Sequence, residues 1–518
     1  MDPIPMPAPY LGVNDKIPKI ALQSPYAQKL HNFNVTQEGV TLRHGDEYVN
    51  STPTGFWILE LLAYGSGNGA SDKLIAVVSG ITNTYVYNAE TGVSEGSWSL
   101  YYSGSMFFNK NLFVFGTVDS FVYDGSAWGV VGYTGSGLLP YGGTPFKNRA
   151  YIIQGSESAY WYSNLYAITG ALHKVDLSTI VSEACTLSAI APISIADNTA
   201  SVTLLAFVFS SGEVLFFSGS YPDAADWALA SRAKIGQPLT YNSFINYQGD
   251  SLVYTETGLV SLRDLFLKGS EGAVSLSVNS NIQKQWKALV AGLRAETGIV
   301  SGPISIPAQL YGKIKGAWDE TGGRIIVSFP GYIDDSGDFQ WGSTYFVFDT
   351  ELKAWSTQRS VGADSAGTAI DRGIRGIVYY KNQIYCAARA AVWIKEGADG
   401  FTDRDRLDAS EVGYLYEIIS APVANGRAYV QRCTGLDAIL ETDLNEENNW
   451  LLIRDFGNET TTTQQVTVGT GLQKPFINIG IEGSYIQWWL IGTTTSGKTV
   501  GLDLYGINFW VEGGGSPR

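Results

Sequence analysis

Leu74-Ile-Ala-Val-Val78, Thr84-Tyr-Val-Tyr87, Asn88-Ala-Glu-Thr-Gly92 and Trp98 follow one another as an apolar strand, an aromatic strand, a turn and a tryptophan. The same order returns in Leu112-Phe-Val-Phe115, Ser120-Phe-Val-Tyr-Asp124, Gly125 and Trp128. It returns again in Arg324-Ile-Ile-Val-Ser328, Thr344-Tyr-Phe-Val-Phe-Asp349 and Trp355. Parts of it recur in Ala150-Tyr-Ile-Ile153 with Tyr160-Trp-Tyr162, in Val214-Leu-Phe-Phe217 with Trp227, and in Gln383-Ile-Tyr-Cys386 with Val392-Trp393. The spacing is irregular, roughly 35 to 60 residues, which suits imperfect propeller blades. One such unit has an apolar face that it cannot bury alone. Stacked radially, neighbouring sheets bury each other and leave only short edges. The units therefore predict a mainly β chain built around a β-propeller, with a two-sheet sandwich as the alternative.

Composition agrees. There are 518 residues, too many for one ordinary domain, so two to four domains or one large closed β architecture with additions are expected. Glycine is 59 of 518 against a usual ~7%, and charged residues are 16% against a usual ~25%. Aromatic residues reach 13%. Few charges, many glycines and many aromatics favour strands and turns over helices.

The net charge of −15 leaves no basic excess to neutralise phosphates, which excludes tight DNA binding by counterion release. An acidic surface keeps DNA mobile instead. Cys185, Cys386 and Cys433 are too sparse for a disulfide framework and read as free thiols. The opening Met1-Asp2-Pro3-Ile4-Pro5 lacks the features of a secretory leader. The longest apolar run, Val202 to Phe209, is far below the ~20 residues of a spanning helix, so no membrane-spanning segment is expected.

Three regions differ in texture. Residues 1–60 carry Pro3, Pro5, Pro7, Pro9, Pro18 and Pro25, which prevent regular helix or central strand. They read as an extended arm that gains order by lying on something else, or else as a disordered terminus. Residues 61–400 hold the repeats. Residues 401–518 change again, to charge clusters followed by long β-rich stretches, and read as a separate β domain with a glycine-rich end. One helix stands out: Ser280 as N-cap with Gln283 completing a capping box, Ile282, Trp286, Leu289, Val290 and Leu293 on one face, and Gly298 as the stop.

Candidate chemistry is sparse. Gly492-Thr-Thr-Thr-Ser-Gly497-Lys498-Thr499 fits the spacing of a phosphate-binding loop. A true site needs a helix next, whereas Thr499 to Val511 alternates like a strand, so Gly492, Gly497, Lys498 and Thr499 read as a fortuitous match in a hairpin. His31, His44 and His173 are the only histidines, no Gly-x-Ser-x-Gly elbow exists, and no Cys or His pair has zinc spacing. Asp403, Asp405, Asp408 and Glu411 loosely suggest calcium, but Leu407 and a missing turn glycine break the pattern. Asp334, Asp335 and Asp338 beside Gly337 read first as a polar turn, with a calcium site or a carboxylate pair as alternatives. No cofactor, metal or catalytic residue is therefore assigned.

The arm carries a resemblance. Gly12-Val-Asn-Asp-Lys-Ile-Pro18, Ser24-Pro-Tyr-Ala27, Leu30-His-Asn-Phe33 and Gly39-Val-Thr-Leu-Arg-His-Gly45 resemble, in that order, segments of tail proteins of short-tailed bacteriophages. Tyr247 to Leu259, Gln383-Ile-Tyr-Cys386 with Val392-Trp393 and Thr402-Asp403, and Gly506 to Pro517 are similar to later segments of the same family. Cys386 stands where that family usually has Gly, and His44 where it has Pro. The resemblance implies a tail nozzle (hub) protein. It further implies a propeller inserted between chain ends that together build a platform, with no catalytic residue and no cofactor. Copies, usually six, would form a ring around the DNA exit channel below the head-tail adaptor protein. DNA would pass non-specifically, tail fibre or spike proteins would be further partners, and the location would be the virion tail after synthesis in the host cytoplasm. Gly12, Asn14, Pro25, Asn32, Phe33, Arg43 and Gly45 are the arm positions expected to serve assembly. The alternative is a carbohydrate-binding or glycan-cleaving propeller used in host recognition.

Overall fold

A computed structural model of the chain describes residues 3–17, 21–51, 57–65, 69, 71–80, 83–98, 102–116, 120–196, 201–242, 244–269, 280–299, 314–334, 336–359, 361–363, 369–371, 374–388, 391–397, 403–404, 411–412, 415–420, 423–424, 431–442, 446–455, 461–468, 471–473, 476–483, 485–493 and 502–512.

The repeats seen in the sequence are strands two, three and four of antiparallel blades. In the first blade the order is Trp57–Tyr64, Lys73–Ser79, Thr84–Asn88 and Ser94–Trp98. Five further four-stranded blades span residues 102–130, 140–176, 187–234, 315–358 and 374–394. The last of these takes its fourth strand, Glu47–Ser51, from the N-terminal arm. A three-stranded sheet of residues 244–261 stands between the fourth and fifth blades.

The Asn or Asp that ends the aromatic strand in the first, second and fifth blades has a physical reason. Asn88 Oδ1 accepts from the amides of Glu90 and Thr91 at 3.0 and 3.1 Å. Asp124 Oδ1 does the same for Ser126 and Ala127 at 2.8 Å each, and Asp349 Oδ1 for Glu351 and Leu352 at 3.0 and 2.8 Å. Each side chain stands in for a backbone acceptor and turns the chain toward the outer strand. The tryptophan that follows packs back on the aromatic strand, as Trp355 does on Phe348 with ring centroids 4.8 Å apart.

Burial closes the ring. Ile75 and Val86 meet Leu112 and Tyr123 between the first two blades. Phe113 meets Ile152 and Trp161 between the next two, and Tyr160 meets Phe207 and Phe217 after that. At the seam, Ile58, Leu74 and Val78 of the first blade pack on Tyr380, Tyr385 and Val392 of the sixth. The innermost strands approach closely enough that a Cβ on Gly104 would lie 2.7 Å from the backbone of Gly142. Side chains link first strands of different blades as well: Glu60 of the first blade pairs with Lys315 of the fifth at 2.8 Å, and Tyr102 of the second donates to Glu60 at 3.5 Å.

The platform is a sandwich woven from both chain ends. Ala27–His31 lies between the outer strand of the fifth blade and Leu415–Ser420, so one ten-stranded sheet runs from blade to platform. The facing sheet pairs Pro3–Pro7 and Val40–Leu42 with Leu502–Glu512. Phe33, Leu42, Ile418, Trp488 and Leu504 share its core with Trp286. The fold is thus mainly β, a propeller inserted into a platform formed by the N- and C-terminal regions.

Two helices are described, α1 (Leu262–Lys268) and α2 (Gln283–Thr297). Helix α2 buries Trp286, Leu289, Val290 and Leu293 and ends at Gly298 with φ 68°, as expected. Its start differs from expectation. Ser280–Ile282 forms a 3₁₀ turn, Ile282 occupies the N-cap position, and no capping box forms. The Asp15 carboxylate of the arm takes that place, accepting from the amides of Lys284 and Gln285 at 3.1 and 2.7 Å.

Asp349→Ala should lower unfolding stability by about 1 kcal/mol, the net worth of the turn's hydrogen bonds, and Asp124→Ala should act in the same direction. Urea titration of single variants checks this, and unchanged midpoints for both would count against the turn's role.

Candidate functional site

The arm residues singled out in the sequence converge where the arm, the platform and the last two blades meet. Gly12 lies in the left-handed region at φ 71°, and a Cβ there would sit 2.4 Å from the Trp355 carbonyl oxygen. Only glycine lets the arm come so close. Val13 N then donates to Trp355 O at 2.8 Å, and Asn14 N to Ala27 O at 3.0 Å. The Asn14 side chain accepts from Lys16 N, and the Pro25 carbonyl from Leu11 N. Phe33 is fully buried.

Asn32, held at φ 60°, directs Oδ1 to Arg43 Nε at 3.0 Å and to Arg359 N at 2.9 Å. Arg43 is itself fully buried and donates to the carbonyls of His44 and Arg359, both at 2.8 Å. Past the buried Gly45, Asp46 Oδ1 lies 3.4 Å from Arg43 and 3.2 Å from Lys395 Nζ. The neighbouring Glu396 binds Arg324 at 3.1 Å and accepts from Asn34 and Gln358 at 2.8 and 2.9 Å. Arg324 also reaches Asp319 at 3.0 Å.

Three cations and three carboxylates therefore form one inward-facing network. Burial alone would push the Glu396 carboxyl up. Arg324 and Lys395, with the Gln358 and Asn34 amides, outweigh burial and lower it to about 2. Such a network adds little net stability over an apolar core, but removing one member leaves an uncompensated buried charge at about 3–5 kcal/mol. Its chemistry is that of a clasp: every charge is answered by a neighbour, and the arm is held in one register. The body on which the arm lies is its own chain.

The sequence pointed to Asn32, Arg43 and Gly45 of this clasp but not to Asp46, Asp319, Arg324, Lys395 and Glu396, nor to Asp15 at the start of α2. Asp46 and Lys395 are 349 residues apart, so no local spacing could reveal them.

The other candidates do not gather. Gly492 lies within the strand Tyr485–Thr493, while Gly497, Lys498 and Thr499 lie outside the described residues; the next described element is the strand Leu502–Glu512. Asp403 and Glu411 lie in a short strand pair, and Asp405 and Asp408 are outside the described residues. Asp334 forms a polar turn, with Oδ1 accepting from Ser336 N and Asp338 N; Asp335 is outside the described residues. His31 is buried beside Thr357, and burial, reinforced by Arg359 and Lys29, holds its ring well below its ordinary range and neutral. His44 and His173 are exposed. Among the described residues no three His, Cys, Asp or Glu are grouped to hold a metal ion.

A cleft of about 480 Å³ beside the fourth blade is lined by Glu183, Cys185, Ser211, Lys234, Gln237 and Glu256. Burial pushes the Cys185 thiol up and keeps it protonated, away from nucleophilic use. No aromatic ring lines the cleft for a sugar to stack on.

No family model and no curated protein sequence matches the chain. Solved structures to which it is similar include Chaetomium thermophilum Raptor, at 10% identity and a TM-score of 0.38 over 68% of this chain. The chain spans only 30% of Raptor's length. YCF48 bound to D1 peptide matches at 9% identity and 0.36, over 67% of this chain and 94% of that one. The β-propeller domain of Myceliophteria thermophila Cps50 (Swd1) matches at 8% and 0.37, over 68% and 98%. Among the described residues no helix is long and apolar enough to cross a membrane.

Glu396 is ordinarily near 4.5 and is lowered to about 2 here, so its stabilisation is complete above pH 4.5 and is lost as the pH falls from there toward 2. Melts of wild type and Glu396→Gln should differ by roughly 3 kcal/mol at neutral pH, with the difference shrinking steadily in acid. A difference constant across that window contradicts the assignment.

Proposed function

We propose that the chain is a structural protein of a bacteriophage tail, a nozzle subunit that assembles with copies of itself around the DNA exit channel. The observation that carries this reading is the weave of both chain ends into one sandwich with the propeller between them, the arrangement that the resemblance implies. The charged side chains of the arm are used for holding the chain together. The ring would sit below a head-tail adaptor protein, with tail fibre or spike proteins as further partners.

The mechanism is physical. The Glu60–Lys315 pair and Tyr102 tie the first strands of three blades together, and on this reading a duplex would pass between copies. The net charge of −15 repels the phosphate backbone, which lets DNA slide without being held. For the glycan-binding alternative, the aromatic rings are the available resource. In the blades they stack on one another, as Trp98 does on Phe121 at 4.2 Å and Trp227 on Phe217 at 5.4 Å.

Electron microscopy and native mass measurement of the purified protein, alone and with the adaptor, test the proposal. Rings of several copies, six by the resemblance, with an acidic or neutral lumen are expected. A monomer under all these conditions, or a lumen lined by Lys and Arg, would overturn it. So would defined sugar binding on a glycan array by that monomer.

A further inference from the structure

Propeller and platform share one sheet, and the arm strand Ala27–His31 is the piece common to both. On its fifth-blade edge the register pair is His31↔Thr357. Asn32 extends this edge, its N donating to Thr357 O at 2.8 Å. On the platform edge His31 stands opposite Glu417. The side chain at the junction is thus an imidazole, only 8% exposed. Imidazole is the side chain whose ordinary charge change falls between pH 5 and 8.

Hydrogen bonding selects the form that fits. Thr357 Oγ1 donates its single proton to the Leu30 carbonyl at 3.1 Å. It therefore accepts from His31 Nδ1 at 3.3 Å. Nδ1 carries the ring hydrogen, and a second proton has to go to Nε2. The surroundings oppose it. Lys29 on the same strand, Arg43 further along the arm, Arg359 after the fifth blade's outer strand and Lys395 after the sixth blade's third strand all act on the ring. Among the described residues, the carboxylates on these packed elements answer other cations: Glu417 answers Lys29, Asp46 answers Arg43 and Lys395, and Glu396 answers Arg324. An imidazolium would be a fifth cation in a buried cluster, a cost that water relieves once the arm lifts.

We propose that His31 is an acid-operated catch between propeller and platform. Uptake of a proton at Nε2 loosens the arm from the fifth blade, so the junction is held at neutral pH and slackens in mild acid. Burial, reinforced by the four cations, keeps the seated ring well below its ordinary value of 6.5. The lifted arm is therefore the state that binds the extra proton. Seating is complete above pH 6.5 and weakens by up to about tenfold for each pH unit below it. The Glu396 carboxyl contributes only below 4.5. Asp15 acts in the opposite direction, because burial raises its carboxyl, so a weakening in acid is not its doing.

Hydrogen exchange of the full-length chain at pH 7 and pH 5, expressed as protection factors, tests the catch. In wild type, the protection of residues 27–51, 354–358 and 391–397 should fall together by roughly ten- to thirtyfold between the two. In His31→Gln, whose amide can donate to Thr357 in place of Nδ1, the same segments should keep their protection. Wild-type protection that does not change, or a fall in His31→Gln equal to that of wild type, overturns the proposal. If His31→Gln does not fold, the double variant His44→Gln with His173→Gln decides, since it leaves His31 as the one histidine. A fall like that of wild type then supports the catch, and a flat response overturns it.

Discussion

A propeller is stable only when its last blade meets its first, because an unclosed blade leaves an apolar face in water. Here the closing strand comes from the other end of the chain. Glu47–Ser51 completes the sixth blade, and the buried Arg43–Asp46–Lys395 contacts fix where it lies. The same arm passes through the platform before it reaches the seam. Ala27–His31 bridges blade and platform within one sheet, and Asp15 holds the start of α2. Closing the ring and joining it to the platform are therefore one event, carried by about forty residues.

On the proposed reading, this coupling would have a mechanical use. A subunit that transmits load during DNA passage needs its two bodies to move together, and a continuous ten-stranded sheet supplies that stiffness. Buried charge networks suit the purpose in a particular way. They add less stability than apolar packing does, but a shifted register leaves several charges unanswered, so they specify one arrangement. The apolar blade cores supply the stability, and the clasp supplies the choice of partner strand.

The aromatic strands were legible in the sequence because their alternation, Asx turns and tryptophans are all local. The first strands of the blades were not. Tyr102–Phe108 and Pro140–Phe146 lie nearest the axis, where backbones approach so closely that Gly104 and Gly142 are required, and glycine reads as a turn. The fourth strand of the last blade was hidden in the arm. Helix α2 was legible from its apolar face, while its cap was not, since Asp15 lies some 270 residues away. The arm's glycines, asparagines and Arg43 stood out through their order alone. Their acidic and basic partners became visible only once the ring closed.

Hydrogen exchange, read segment by segment, tests most directly the claim that the arm locks the propeller from within the same chain. Amides of residues 27–51, 354–358 and 391–397 should open together, with the protection of the whole propeller. An arm that exchanges fast while the first and sixth blades stay protected would contradict the account.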